Sequence, residues 1–262
     1  MKRLLLIPLI LMLFGCASNQ TYNENSAASQ GEIDLEIGKY DNSPAKTFIG
    51  LAAAYIQRND FETALRYADR AIKEDPQNPN SFNVMAIVLQ QIGQVNKADE
   101  NFRKALSISP YEPYINSAYA SFLCERKDFD RAKIHFTNSI NHPLFTKKYL
   151  PMAEIGICAL RNERLDLAEE YLRKALQING KFAPALYNMI DVSVRTENYW
   201  SARAYIQRYL EVARHDAKTL YWGIKTEQQL GDKNNLDSYK LLLKNKFPDS
   251  KETALLQQDG SL

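Results

Sequence analysis

The sequence predicts an all-α fold, a right-handed superhelical solenoid of six helix-turn-helix hairpins. A pattern of 34 residues recurs six times between residues 45 and 250. Each unit places small residues where two helices must approach closely, and large apolar residues surround those places. A single hairpin of this kind cannot bury its own apolar face, whereas a stack of such hairpins can. The recurring unit therefore predicts one elongated, continuous core.

The first unit, residues 45–78, shows the pattern most clearly. Its small residues are Ala52, Ala64 and Ala71, at positions 8, 20 and 27 of the unit. Its large apolar residues are Phe48, Leu51, Tyr55 and Phe61, at positions 4, 7, 11 and 17. These are the positions that a tetratricopeptide repeat fixes, and the unit resembles one.

Five further units follow the first, and the last two of them match the pattern more weakly. Their predicted bounds are 79–112, 113–146, 149–182, 183–216 and 217–250, with two extra residues between the third and the fourth. Asp60 and Asp128 stand where second helices begin, so we expect their side chains to cap those helices. The six repeats occupy the predicted domain 44–250, and residues 251–262 are predicted to form a C-terminal tail.

The N-terminus carries an export signal. Lys2 and Arg3 precede an apolar run over residues 4–14, which is shorter than the roughly 20 residues that span a bilayer. The run ends in Leu-Phe-Gly-Cys, the form of a lipobox. We therefore expect residues 1–15 to be a lipoprotein signal peptide and Cys16 to carry the lipids, although an ordinary signal peptide with a coincidental cysteine is the alternative.

Polar residues after Cys16 predict a flexible tether, which together with the lipid anchor covers residues 16–43. Ala17, rather than aspartate, follows the cysteine, as in bacterial lipoproteins that are sent to the outer membrane. We therefore expect the chain to be lipid-anchored at the periplasmic face of the outer membrane.

Charge and motifs exclude several classes of function. The chain has 33 basic and 31 acidic residues, and removal of residues 1–15 leaves 33 − 2 = 31 basic residues against 31 acidic ones. A neutral mature chain has no excess of positive charge with which to bind nucleic acid. The sequence has no phosphate loop, no HExxH and no CxxC, and His135, His142 and His215 are scattered. We therefore expect no enzyme, no cofactor and no metal site.

Two cysteines lie one repeat period apart. Cys124 and Cys158 are separated by 34 residues, so they fall on the first helices of the third and fourth units. An exported chain meets an oxidising compartment, where such thiols are usually paired. The sequence predicts a disulfide, and the alternative is two small buried side chains.

The concave face of such a solenoid is lined by positions 2, 5, 9 and 12 of each first helix, and we expect partner binding there. The candidate groove residues are Ile49, Ala53, Ile56, Asn83, Ile87, Gln90, Ser117 and Ser121. The four apolar members at its N-terminal end are expected to form an exposed strip that suits an amphipathic peptide. Alternatively, Ile49 and Ile56 pack under the N-terminal segment or on each other.

The lipobox followed by six repeats resembles the PilF/PilW family of type IV pilus biogenesis lipoproteins, the pilotins. The closest stretches are residues 78–132 and 154–176, with Phe-Leu-Cys at 122–124 and Gly-Ile-Cys at 156–158. The resemblance implies an adaptor that binds secretin subunits and promotes their outer-membrane localisation and multimerisation. We expect the protein to be monomeric. Other interpretations are an envelope repeat lipoprotein that scaffolds murein enzymes or outer-membrane protein assembly, and a soluble cytoplasmic repeat chaperone.

Overall fold

The structure is a computed structural model that describes residues 42–258 and residue 260. In this part of the chain there are thirteen helices and no strand. The helices are α1 Lys46–Gln57, α2 Phe61–Glu74, α3 Pro79–Gln91, α4 Val95–Ile108, α5 Pro113–Glu125, α6 Phe129–Asn141, α7 Tyr149–Arg161, α8 Leu165–Ile178, α9 Ala183–Arg195, α10 Tyr199–Leu210, α11 Ala217–Leu230, α12 Lys233–Lys246 and α13 Lys251–Gln258. The predictions on residues 1–41, including the lipobox, lie outside the described residues.

The helices form a tetratricopeptide solenoid, as predicted. Each odd-numbered helix from α1 to α11 packs on the helix that follows it, and this hairpin packs on the next hairpin. Successive first helices also pack on one another, α1 on α3 and so on to α9 on α11. The first helices therefore form one continuous layer, and the second helices lie against its outer side.

The turn inside each hairpin has the same backbone geometry. One residue with positive φ recurs at the fifteenth position of every unit. These residues are Asn59, Gly93, Lys127, Glu163, Glu197 and Gly231, with φ between 56° and 74°. The six units therefore keep the same register, although two extra residues precede the fourth unit.

Helix caps follow the expected chemistry. The Asp60 carboxylate accepts a hydrogen bond from the backbone N–H of Thr63 at 3.1 Å, and Asp128 accepts one from Arg131 at 3.4 Å. The hydrogen bond from Thr63 also lowers the pKa of Asp60. Each cap satisfies a helix-end donor that the hairpin turn leaves unpaired.

The connector over residues 142–148 absorbs the irregular spacing between the third and fourth units. Phe145 is buried there and meets the ring of Tyr114 edge-on, with centroids 5.3 Å apart and an interplanar angle of 85°. This contact fixes the connector to the start of α5. As a result, α7 still packs on α5, although the chain between the two units is longer.

The predicted C-terminal tail contains one further helix, α13. Leu256 of α13 is fully buried in a cluster with Leu220, Ile224 and Leu243 of the last repeat. A terminal repeat has no neighbour to cover its apolar side, so a capping element is required. No helix in the described residues is long and apolar enough to cross a membrane.

Candidate binding groove and the disulfide beside it

The groove predicted from the sequence is largely closed in its first two repeats. Ile49 has no exposed surface, and Ala53 and Ile87 expose only 6% and 7% of theirs. Asn83 is buried as well. The expectation that the apolar members form an exposed strip is therefore wrong for these residues. Ile56 alone among them is partly exposed, and it packs against the core.

Packing between neighbouring repeats explains this difference. Ile49 belongs to a buried cluster with Ala68 and Ala71 of α2 and Val84 of α3. The alanines let α2 and α3 approach α1 so closely that the side chain at position 5 is enclosed. Ile49 therefore stabilises the junction of the first two repeats and is not available to a partner.

The accessible inner surface is polar. Gln90, Ser117 and Ser121 are partly exposed, and they lie on α3 and α5. The Gln90 Nε2 donates a hydrogen bond to Glu125 Oε2 at 2.7 Å, across one repeat boundary. Ser117 Oγ donates to Ser139 Oγ at 2.8 Å. A partner on this surface meets hydrogen-bonding groups instead of an apolar strip.

Glu154 is a groove residue that the analysis of positions 2, 5, 9 and 12 missed. It lies on α7, one turn before Cys158, on the side that packs on α5. Its carboxylate accepts no hydrogen bond from the described residues. Burial raises the pKa of Glu154, Arg161 opposes this shift, and Glu125 reinforces it. The signal in the sequence is that Glu154 is the only charged residue of α7 before Arg161 at its end.

A second polar cluster lies at the junction of the fifth and sixth repeats. The Lys218 Nζ is 3.8 Å from Asp191 Oδ2 and 4.7 Å from the centroid of the Trp222 ring. Tyr187 meets Trp222 edge-on at 4.9 Å and donates a hydrogen bond to Asp216 Oδ2 at 3.1 Å. Burial also raises the pKa of Asp191. Lys218 and Arg195 oppose this shift without cancelling it.

Cys124 and Cys158 are joined by a disulfide in the structure. The two Cα atoms are 5.6 Å apart, and both residues are buried between α5 and α7. This Cα separation lies in the usual range for a disulfide. The bond links the first helices of the third and fourth repeats beside Glu154, and it closes a loop that includes the irregular connector.

Within residues 42–258, no group of three potential ligands among His, Cys, Asp and Glu comes together. His135 Nδ1 lies 2.9 Å from Asn116 Oδ1, and His215 Nδ1 lies 3.1 Å from Thr219 Oγ1. These two histidines therefore contribute to packing within and between helices.

Replacement of Glu154 by Gln is expected to raise the melting temperature at pH 7 by about 2 to 4 °C, the shift that roughly 1 kcal/mol produces in a chain of this size. Because the folded-state pKa of Glu154 is raised, its ionisation favours the unfolded chain as pH rises above about 4. The gain should therefore shrink as pH falls towards and below 4, because Glu154 becomes protonated in the unfolded chain as well. Calorimetry of both proteins from pH 4 to 8 measures this difference. A gain that does not depend on pH would contradict it.

Comparison with known proteins shows which families and proteins the chain resembles. Tetratricopeptide repeat family patterns match residues 45–78, 79–112 and 152–182. The type IV pilus assembly protein PilF of Pseudomonas aeruginosa is 26% identical over 218 residues, which are 83% of this chain and 86% of that protein.

Two solved structures match over almost the same length. The crystal structure of PilW, a widely conserved type IV pilus biogenesis factor, has a TM-score of 0.75 and 28% identity, and covers 82% of this chain and 99% of its own. The structure of Pseudomonas aeruginosa PilF has a TM-score of 0.74 and 26% identity, and covers 82% and 97%. The family resemblance predicted from the sequence is confirmed. The chain is thus a tetratricopeptide repeat protein that is similar, over about four fifths of its length, to the type IV pilus biogenesis proteins PilF and PilW.

Proposed function

We propose that this protein is an outer-membrane lipoprotein adaptor, a pilotin, that binds secretin subunits and promotes their localisation and multimerisation during type IV pilus biogenesis. The observation that carries the proposal is the match to PilW and PilF along 82% of the chain. Binding, and not catalysis, is the proposed activity. It combines a membrane anchor at Cys16, a tether and a repeat solenoid with a polar inner surface.

The inner surface suggests how a secretin segment is held. Gln90, Ser121 and Glu125 present donors and acceptors on α3 and α5. The Glu154 carboxylate on α7 is close enough to Glu125 for their charges to interact. A bound segment that hydrogen-bonds to these groups replaces the water that would otherwise solvate them. The polar groove therefore favours recognition of a defined segment over non-specific apolar binding.

The length of the tether limits how far from the membrane the solenoid can bind a secretin subunit. Residues 16–43 form a polar stretch, and a flexible chain of that length has a root-mean-square span of about 30 Å. We propose that the solenoid therefore searches for secretin subunits close to the membrane while Cys16 stays anchored.

Replacement of Cys16 by Ser is expected to abolish lipid labelling and membrane attachment. Secretin multimers should be lost or found in the inner membrane, because an unlipidated adaptor no longer takes the subunits to the outer membrane. Membrane fractionation followed by immunoblotting of secretin multimers measures this result.

The matched control is Ala17→Asp, which keeps Cys16 and the lipid but carries aspartate after the cysteine. It should be lipidated yet retained in the inner membrane, so it separates lipidation from location. Normal outer-membrane multimers with Cys16→Ser contradict the proposal. So does affinity capture of the mature protein from envelope extracts that recovers murein enzymes and no secretin.

A further inference from the structure

Large apolar side chains are exposed in four successive connectors between repeats. They are Tyr111, Leu144, Ile178 and Val212, whose exposed fractions are 76%, 83%, 52% and 37%. Each lies at the end of a second helix or in the connector that leads to the next repeat. Their spacings of 33, 34 and 34 residues follow the repeat period. We call these four residues the junction edge.

The topology places these residues along one edge of the solenoid. In a stack of antiparallel hairpins, every second helix ends where the next first helix begins, and all these connectors lie on the same side of the layer. The hairpin turns lie on the opposite side. Apolar residues that recur in the connectors therefore lie in a row along this edge, although the four residues are far apart in sequence.

The two edges differ in chemistry. The hairpin turns carry polar and charged residues such as Asn59, Lys127 and Glu163. Beside the described turns, the exposed large apolar residues are Val95, at 38%, and Trp200, at 70%. The junction edge carries more of them, and there they recur in every repeat from the second to the fifth. A set of this kind marks an interaction surface.

Basic side chains lie beside the apolar ones on the junction edge. Lys148, Lys181 and Arg214 are in the same connectors, together with the acidic residues Glu112, Glu211 and Asp216. Lys181 and Arg214 are exposed. Apolar side chains interspersed with Lys and Arg are the composition with which a surface contacts an anionic phospholipid interface.

The N-terminal chain leaves the solenoid from this edge. The first helix, α1, begins at Lys46, and every first helix begins at the edge where the second helices end. The 41 residues before Asn42 are therefore attached to the junction edge and not to the hairpin-turn edge. Any anchor in that segment draws this edge towards the membrane.

We propose that the junction edge is the membrane-facing surface of the protein, with Tyr111, Leu144 and Ile178 in the interfacial region of an anionic phospholipid bilayer. The role of a lipid anchor in this arrangement rests on the proposed function above, but the surface itself exists in the unlipidated chain. In this orientation the hairpin-turn edge points away from the bilayer. The inner surface then stays open to a partner that approaches along the membrane.

The test uses the mature chain without its lipid, obtained with Cys16→Ser, and vesicles of phosphatidylethanolamine and phosphatidylglycerol at about three to one. The variant Tyr111→Ser, Leu144→Ser, Ile178→Ser should lower the fraction that co-sediments with the vesicles by about fivefold or more. Vesicles without phosphatidylglycerol should also bind less protein. The control replaces Val95, Ile134 and Trp200 by Ser, three exposed apolar residues away from the junction edge, and should bind as the parent does.

Equal vesicle binding by the two triple variants, or no binding by the parent, overturns the proposal. Analytical ultracentrifugation of the parent that shows a dimer abolished by the junction-edge substitutions also overturns it, because a second copy then covers the edge. Unchanged circular dichroism and melting temperature show that each variant is folded. Vesicle binding without secretin capture refutes only the proposed function, whereas secretin capture without vesicle binding refutes only this inference.

Discussion

Removal of the disulfide by the double substitution Cys124→Ala, Cys158→Ala should lower the free energy of unfolding by about 2 to 4 kcal/mol. The two cysteines are 34 residues apart, so the bond restricts a long loop in the unfolded chain. For a chain of this size the expected fall in melting temperature is about 4 to 16 °C. Urea unfolding followed by circular dichroism measures the change in the free energy of unfolding.

Reduction provides the control for this experiment. The parent in excess dithiothreitol should match the double variant, because both lack the same covalent link. The double variant itself should not respond to the reductant, since both cysteines of the mature solenoid are gone and Cys16 lies outside it. If the oxidised parent and the double variant unfold at the same urea concentration, the disulfide does not stabilise the solenoid.

The periodic features of this fold were predictable from the sequence because each unit repeats the same packing problem. Cys124 and Cys158 are a direct example. The period places them on neighbouring first helices, and the connector with Phe145 takes up the two extra residues without moving α7 away from α5. The capping by Asp60 and Asp128 was also predictable, since it depends only on residues within three positions.

The groove was harder to predict because exposure depends on the neighbouring repeat. Ile49 has a position that is accessible in a generic hairpin stack, but the alanines of α2 and the contact with α3 enclose it here. The rule based on positions 2, 5, 9 and 12 does not include Glu154. It can be found instead as a lone charged residue within an apolar helix. Burial of a charged side chain costs free energy, so such a residue is a candidate for a functional role.

Gly156→Ala should destabilise the protein, although alanine is the better helix former. Gly156 lies inside α7, and a Cβ atom there would be 2.6 Å from Leu172 Cγ and 3.0 Å from Leu172 N. The backbone nitrogen cannot rotate away, so α8 must move. We expect a loss of about 1 to 3 kcal/mol from overpacking, which exceeds the gain in helix propensity of up to about 1 kcal/mol.

Gly50→Ala is the matched control, because Gly50 also lies inside a first helix but a Cβ atom there meets nothing within 4 Å. Only the propensity gain applies, so this variant should be more stable than the parent by about 0.5 to 1 kcal/mol. The same substitution should thus have opposite signs at the two sites in urea unfolding. If both variants gain stability, Leu172 can yield to the added methyl group, and the close approach of α7 and α8 does not require glycine.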